Sequence, residues 1–396
     1  MPDQDMTTGV DRRTMMVTGL AAAAGLTAIP FVPETPAAVL SRGTEGLRAR
    51  ADRKGLLCGT AISYEIMRDP DIQAAVLADC NIIVPENELK WSRIQPTQKG
   101  PFTYRPAEAL YDFAHDRNVA VRGTALHWWN AQPKWAQAYI SSLTAAQAGD
   151  FLQNYVRKVV NDWKGRLVHW DVVNEEVDGR GNLIDKLFAP KLGEECIDLC
   201  FDVVRDTDPD TLRVYNTNYV EQMANYDQQM RVQVLKQLER LKKRNIPVQA
   251  LGIQGHLNLV SGFSQTEFRR FLDEVTAMDI KLLVTEFDVS DKGSMKPVSA
   301  RDVATASLGQ DFLDVILSYP EALGLLTWGL TDKGHWTRKD PGRFRKDGIP
   351  TRAAPLDDGF QRKPLWHAIA NAIDAAPARP KASTLLRMPA KGEIGG

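Results

Sequence analysis

The sequence predicts an α/β chain folded as a single-domain (β/α)8 barrel of the TIM type. Two observations point there. Eight short β-rich runs recur along the chain, separated by longer helical patterns. Polar and aromatic residues also gather where those runs end, as they do where strand C-termini share one functional face. A third observation sets aside the doubly wound sheet, which carries a Gly-rich phosphate loop after its first strand. The segment CGTAISYE (58–65) is not such a loop.

In chain order, residues 1–45 are expected to be an export signal and linker. Arg12 and Arg13 precede an apolar run, Met15 to Val32, that is too short and too rich in Ala and Gly for a membrane span. Paired Arg before such a run resembles a twin-arginine signal. The mature start is then expected between Ala37 and Arg50, and the protein in the periplasm or secreted, with no membrane contact after export.

The barrel is expected over residues 46–376. Its strands are 56–62, 81–86, 119–126, 167–174, 211–216, 248–254, 280–289 and 322–330. Several are continuous apolar runs, as parallel strands covered on both faces require. Helices are expected at 106–117, 146–163, 226–244 and 266–278, among others. In the last, Phe268, Phe271, Leu272 and Val275 fall on one face at helical spacing. Residues 377–396 are expected to be a poorly ordered tail, the stretch after Ala375 being rich in Pro, Ala and Lys.

The bulk composition fits a soluble enzyme, with 43% hydrophobic and 25% charged residues. A formal net charge of -1 argues against a nucleic-acid partner. The 9 Trp serve core packing or sugar platforms. The 4 Cys are too few for a disulfide framework in 396 residues and are read as buried thiols. No Cys-x-x-Cys or His-x-x-x-His spacing suggests a metal site, and no cofactor is expected.

Chemistry on such a barrel belongs at strand C-termini. Strand two ends Pro85-Glu86-Asn87, followed by Glu88, Lys90 and Trp91. Strand three ends near His127-Trp128-Trp129-Asn130, and strand four at Asn174-Glu175-Glu176. Strand six ends Gln254-Gly255-His256, and strand seven Thr285-Glu286-Phe287-Asp288. Strand eight ends Trp328-Gly329, with Asp332 and Trp336 beyond. One Glu at a strand end is ordinarily a solvated rim residue. Two of them, on strands four and seven, joined by His, Gln and Asn and framed by Trp, are the constellation for glycoside hydrolysis. One carboxyl must then be protonated at working pH and the other ionised.

These residues carry a specific resemblance. WDVVNE (170–175) and VTEFDV (284–289) resemble the two catalytic signatures of glycoside hydrolase family 10, the xylanase family. VPENELKW (84–91), IQGHL (253–257), TWGLTDKGHW (327–336) and LDDGFQRKPLW (356–366) resemble further segments of that family, in the same order. The resemblance implies a retaining, endo-1,4-β-xylanase-like hydrolase acting on xylan or xylo-oligosaccharides by double displacement. Glu286 would be the nucleophile and Glu175 the acid/base. His256 would hydrogen-bond the nucleophile. Asp288, on the same side of its strand as Glu286, would anchor that His. Glu86, Asn87, Lys90, Asn174, Asn216 and Gln254 would form the polar substrate-binding set, and Trp128, Trp328 and Trp336 the aromatic one. The partner is a β-linked polysaccharide or oligosaccharide. Glu88 and Glu176, next to motif residues, are read as bystanders, because neighbouring strand residues point oppositely.

Strand three departs from the family. Where that family reads RGHTLVWHSQ, this chain has Thr124, Trp129 and Ala131 in place of two His and the Gln. The strand-five segment is changed too, to Asn216-Thr217-Asn218-Tyr219. His127 and Gln132 are the candidates to fill the gap at Thr124. These changes leave room for the same chemistry on another β-linked glycan or β-glycoside, or for a carbohydrate-binding protein that does not catalyse. The loop from Lys333 to Arg352 is basic, and its Arg343 and Arg345 are candidates to recognise an acidic decoration such as glucuronate.

Overall fold

A computed structural model describes residue 41, residues 43–294 and residues 296–380. Of the expected export signal and linker of residues 1–45, residues 1–40, with Arg12 and Arg13, lie outside the described residues, as do residues 381–396 of the expected tail.

Eight parallel strands close into a barrel, and the alternation of the sequence explains each. They are β1 (Leu57–Ile62), β2 (Ile82–Pro85), β3 (Ala120–Gly123), β4 (His169–Asn174), β5 (Leu212–Thr217), β6 (Ala250–Ile253), β7 (Lys281–Ser290) and β8 (Ala322–Thr327). Each pairs with the next, and β8 returns to β1 in register Leu57 with Gly324. Gly324 is required at that seam. Its φ is +145°, and a Cβ there would meet the Leu57 carbonyl oxygen at 2.0 Å. Two short extensions, His127–Trp128 and His256–Asn258, pair with β4 and β7 at the rim.

Alternate side chains divide between two cores. Leu57, Ile82, Val84, Val214, Ala250 and Leu283 form a small cluster separate from the main core, with members on β1, β2, β5, β6 and β7. Their neighbours, such as Ile83, Val121, Tyr215, Leu251 and Val284, belong to the larger cluster shared with the helices. The strands are therefore buried on both faces, which is why they read as unbroken apolar runs. Arg122 and Asp171 form a wholly buried ion pair from adjacent strands. Burial pushes Asp171 up to about 6, against the lowering charge of Arg122 and a hydrogen bond from Thr124.

Helices occupy Arg105–His115, Ala145–Asp162, Asn225–Lys243 and Gln265–Ala277, each within two residues of expectation. Thr144 and Gln147 form a capping box that starts the second. Phe268, Phe271, Leu272 and Val275 are the buried face of the fourth. The last helix, Pro364–Ala375, packs on Val298–Ile316. The ordered chain passes the expected end at 376. The N–H of Arg379 donates to the Lys54 carbonyl at 2.9 Å, and its guanidinium reaches the Leu317 and Tyr319 carbonyls. All four cysteines are free and buried, as read from the sequence. No helix among the described residues is long and apolar enough to cross a membrane.

Candidate active site

The strand C-termini open into a cavity of about 490 Å³ lined by both Glu175 and Glu286. Glu175 is the first residue after β4 and takes a left-handed conformation, φ +57°. Its own N–H donates to the Asn216 carbonyl at 3.1 Å, which ties that turn to β5. Glu286 lies within β7, whose pairing with β8 shifts register around Val284 and Phe287. Its N–H donates to the Gln254 carbonyl at 2.8 Å.

Amides link the two carboxyl groups. Gln254 donates from Nε2 to Glu175 Oε1 at 2.9 Å and to Asn174 Oδ1 at 3.2 Å. Asn216 donates from Nδ2 to the same Asn174 oxygen at 3.0 Å and to Glu286 Oε1 at 2.9 Å. Thr285 fixes the amide's orientation by donating to Asn216 Oδ1 at 2.7 Å. The other oxygens have separate partners. The Trp128 indole N–H donates to Glu175 Oε2 at 3.0 Å. His256 Nε2 lies 3.3 Å from Glu286 Oε2, and its Nδ1 lies 3.0 Å from Asp288 Oδ2. Asp288 also accepts the Trp336 indole N–H at 2.7 Å, and Trp336 lies against the imidazole with ring centroids 5.0 Å apart.

The surroundings separate the two carboxyls electrostatically. Burial raises Glu175, and the charge of Glu286 adds to that, while Gln254 and Trp128 oppose it. Burial disfavours charge on His256, but Asp288 and Glu286 outweigh it and push the imidazole up to about 10. An imidazolium there keeps Asp288 below its ordinary range against its own burial. One carboxyl is thus placed to hold a proton, and the other faces a cation and an amide donor. That arrangement can protonate a leaving group on one side and present a carboxylate on the other.

Most of the residues read from the sequence meet here. Glu86, Lys90, Trp128, Asn174, Gln254, His256, Trp328 and Trp336 all line the cavity. The Lys90 ammonium sits 4.8 Å from the Trp128 ring centroid and 5.8 Å from that of Trp328. Two of the expected substrate-binding set lie outside the cavity lining. Asn87 does not line the cavity; its Oδ1 accepts from Lys90 Nζ at 2.9 Å and positions that cation. Asn216 is wholly buried and grips Glu286 and Asn174 from below.

Thr124 lines the cavity, and neither candidate fills the gap beside it. β3 ends at Gly123, so regular alternation stops there. His127 turns away from the cavity, with Nδ1 2.9 Å from Glu176 Oε1 and Nε2 3.7 Å from Asp185 Oδ2. Gln132 donates to Asp185 at 2.6 Å. Glu176 is therefore no idle neighbour but a wholly buried partner of His127. Glu88 accepts the N–H groups of Tyr64 and Asn87 and shapes its loop. The two arginines of the basic loop also divide. Arg343 lines the cavity with its guanidinium 4.9 Å from the Trp336 ring centroid. Arg345 is buried against Asp291 and Asp347.

Sequence reasoning missed Thr285, Tyr219, Tyr226 and Glu221. Thr285 was legible as the residue before Glu286. Tyr219 and Tyr226 pack edge to face, 5.2 Å between centroids, on the cavity wall. Glu221, also on that wall, accepts the Gly255 N–H at 2.8 Å, and burial pushes it up to about 7. Among the described residues, His127, Asp185 and Cys196 are grouped closely enough to hold a metal ion. Asp185 already accepts the N–H groups of Leu187, Phe188 and Ala189, and the Cys196 thiol donates to the Gly193 carbonyl. We read that group as a buried ion-paired cluster.

Comparison with known proteins agrees with this geometry. The sequence model described as Glycosyl hydrolase family 10 matches residues 46–372. Endo-1,4-beta-xylanase B of Thermotoga neapolitana is 25% identical over 331 residues, which is 82% of this chain and 90% of that protein. Endo-1,4-beta-xylanase A of Phanerodontia chrysosporium is 28% identical over 340 residues, 83% and 78% of the two chains. Native xylanase 10B from Thermotoga maritima superposes with a TM-score of 0.74 at 27% identity, covering 83% of this chain and 98% of that one. Xylanase 10B from Thermotoga petrophila RKU-1, in complex with xylobiose, gives 0.75 at 27% identity, covering 84% and 98%.

Proposed function

We infer the reaction from the premise that this chain belongs to glycosyl hydrolase family 10. It is a retaining glycoside hydrolase that cleaves β-1,4-xylosidic bonds in xylan or xylo-oligosaccharides. One observation carries the reading: two carboxyls, one just past β4 and one within β7, face one cavity and are joined through Gln254, Asn174 and Asn216.

In the first step, Glu286 attacks the anomeric carbon while Glu175 gives its proton to the leaving oxygen, forming a glycosyl-enzyme ester. His256 and Asn216 hold Glu286 in orientation. Ester formation removes the charge that helps to raise Glu175, so its proton affinity falls and it becomes a base for the incoming water. Lys90 and Glu86 serve the glycone side, with Trp128, Trp328 and Trp336 as ring contacts. No cofactor enters this scheme. We also propose that the protein acts outside the cytoplasm, on the strength of Arg12-Arg13 before the apolar run to Val32.

The deciding assay compares an aryl β-xylobioside with an aryl β-cellobioside. Turnover confined to, or much faster on, the xylobioside supports the reading. Preference for the cellobioside overturns the xylosidic part, and Thr124 in the cavity is the feature that favours such a shift. Arg343 bears on decoration. Arg343→Ala is expected to lower kcat/KM about tenfold on a uronate-branched xylo-oligosaccharide and to leave the plain one unchanged. Equal effects on both would remove the charge-recognition role.

The His256 imidazolium also predicts a pH dependence of stability. Its folded value, about 10, lies above its ordinary 6.5, so its contribution is complete below 6.5 and is lost as pH rises through about 10. Tm is expected to fall over that interval, and His256→Gln to flatten the slope. An unchanged slope in the variant would assign the loss to another group.

A further inference from the structure

Behind the cavity wall, a charged pair backed by a third buried charge closes a ring onto Glu175. Glu176 follows Glu175 directly and points away from the cavity, 1% exposed, with Oε1 2.9 Å from His127 Nδ1. The far side of the same imidazole faces Asp185 at 3.7 Å. Asp185 is immobilised by three backbone N–H groups, from Leu187, Phe188 and Ala189, and by Gln132. The residue after His127 is Trp128, whose indole N–H donates to Glu175 Oε2 at 3.0 Å. Strand pairing sets the same register, His127 beside Val173 and Trp128 beside Asn174. The ring therefore runs from Glu175 along the chain to Glu176, by charge to His127, along the chain to Trp128, and by hydrogen bond back to Glu175.

Two features need such a device. Glu175 holds a left-handed conformation that side chains with a Cβ rarely adopt, and such a conformation persists only where the surroundings over-determine it. His127 follows an interruption of β3, and the pairing that holds the segment carrying Trp128 is only two residues long, His127 beside Val173 and Trp128 beside Asn174. Buried charges bear a desolvation cost that well-packed apolar residues avoid, which makes a stabilising role alone a poor account of three of them at this place.

We propose that His127 and Glu176 are a positioning pair for the acid/base, setting where the Trp128 indole meets the Glu175 carboxyl and hence where its proton meets the leaving oxygen. The proposal rests on the reading of Glu175 as acid/base. In the step concerned, the bond from anomeric carbon to leaving oxygen breaks, its electron pair goes to that oxygen, and the Glu175 proton is delivered there. An error in that placement matters in proportion to the basicity of the leaving group. A sugar alkoxide needs the proton, whereas a dinitrophenolate leaves without it.

The test measures kcat/KM for Glu176→Gln and His127→Asn on a xylo-oligosaccharide and on a dinitrophenyl β-xylobioside. Both values report steps up to the first bond cleavage, and their ratio does not depend on how much of the protein is folded. The expected result is a loss of about 10- to 100-fold on the oligosaccharide with little change on the dinitrophenyl substrate. A ratio unchanged from the parent protein, whatever the effect on Tm, overturns the proposal, since that is what a purely structural pair would give. Glu175→Ala in the same assay separates the two readings. If it also leaves the ratio unchanged, the acid/base assignment itself fails and the proposal with it. If it shifts the ratio while the other two variants do not, only the positioning role is lost.

Discussion

Glu286→Ala should reduce kcat/KM on an aryl β-xylobioside by about 10⁴-fold or more, because the residue supplies the bond-forming atom. Its surroundings explain why nothing nearby substitutes for it. Asn216 and His256 offer N–H donors to Glu286, and Asp288 is occupied by His256 and Trp336. Removing the carboxylate leaves a gap on the face opposite the leaving group. Added azide should enter that gap and displace an activated leaving group once, giving a glycosyl azide of inverted configuration. The product's anomeric configuration is the measurement. A retained product would place the nucleophile elsewhere, and near-parental turnover would remove Glu286 from the mechanism.

The second large effect is expected at Glu175. Glu175→Ala should lower kcat/KM on unactivated oligosaccharides by about 10²- to 10⁴-fold, and much less on a dinitrophenyl glycoside. On the activated substrate the glycosyl-enzyme should accumulate, because the base for the second step is also missing. Azide should then raise kcat and give a product of retained configuration. The alkaline limb of the parent pH profile should vanish in the same variant. The sign follows from the environment: burial and Glu286 raise Glu175, so the protonated acid persists above the usual carboxylate range and activity is lost as pH rises through that higher value. A limb unchanged in the variant would belong to another residue.

The sequence carried the barrel well because its period is simple. Runs such as ALGI and IIVP are apolar at every position, both faces of each strand being covered, and Glu175 and Glu286 stand where the apolar runs VV and LLV give way to polar residues. Local departures from regular strand geometry hid the rest. Alternation could not place His127, since the chain breaks step after Gly123. It assigned Glu176 the correct direction, away from the cavity, but no spacing rule could supply His127 as its partner across 49 residues of sequence. Asn87 and Asn216 stand one layer behind the cavity lining, against Lys90 and Glu286, a placement that motif position alone does not reveal. Arg343 and Arg345 were indistinguishable as members of one basic loop. Only the fold shows that Asp291 and Asp347 claim the second.

The hydrogen bond from Arg379 to Lys54 brings the C-terminal end of the described barrel back to the N-terminal edge of β1, while the carboxyl pair lies toward the C-terminal side of the strands. The order in which the eight units are synthesised is therefore separable from the way they assemble. A circular permutant that joins residue 380 to residue 43 through a linker long enough to run back along the helix Leu47–Lys54, and opens the chain in an exposed loop between a helix and its following strand, would retain every contact around Glu175 and Glu286.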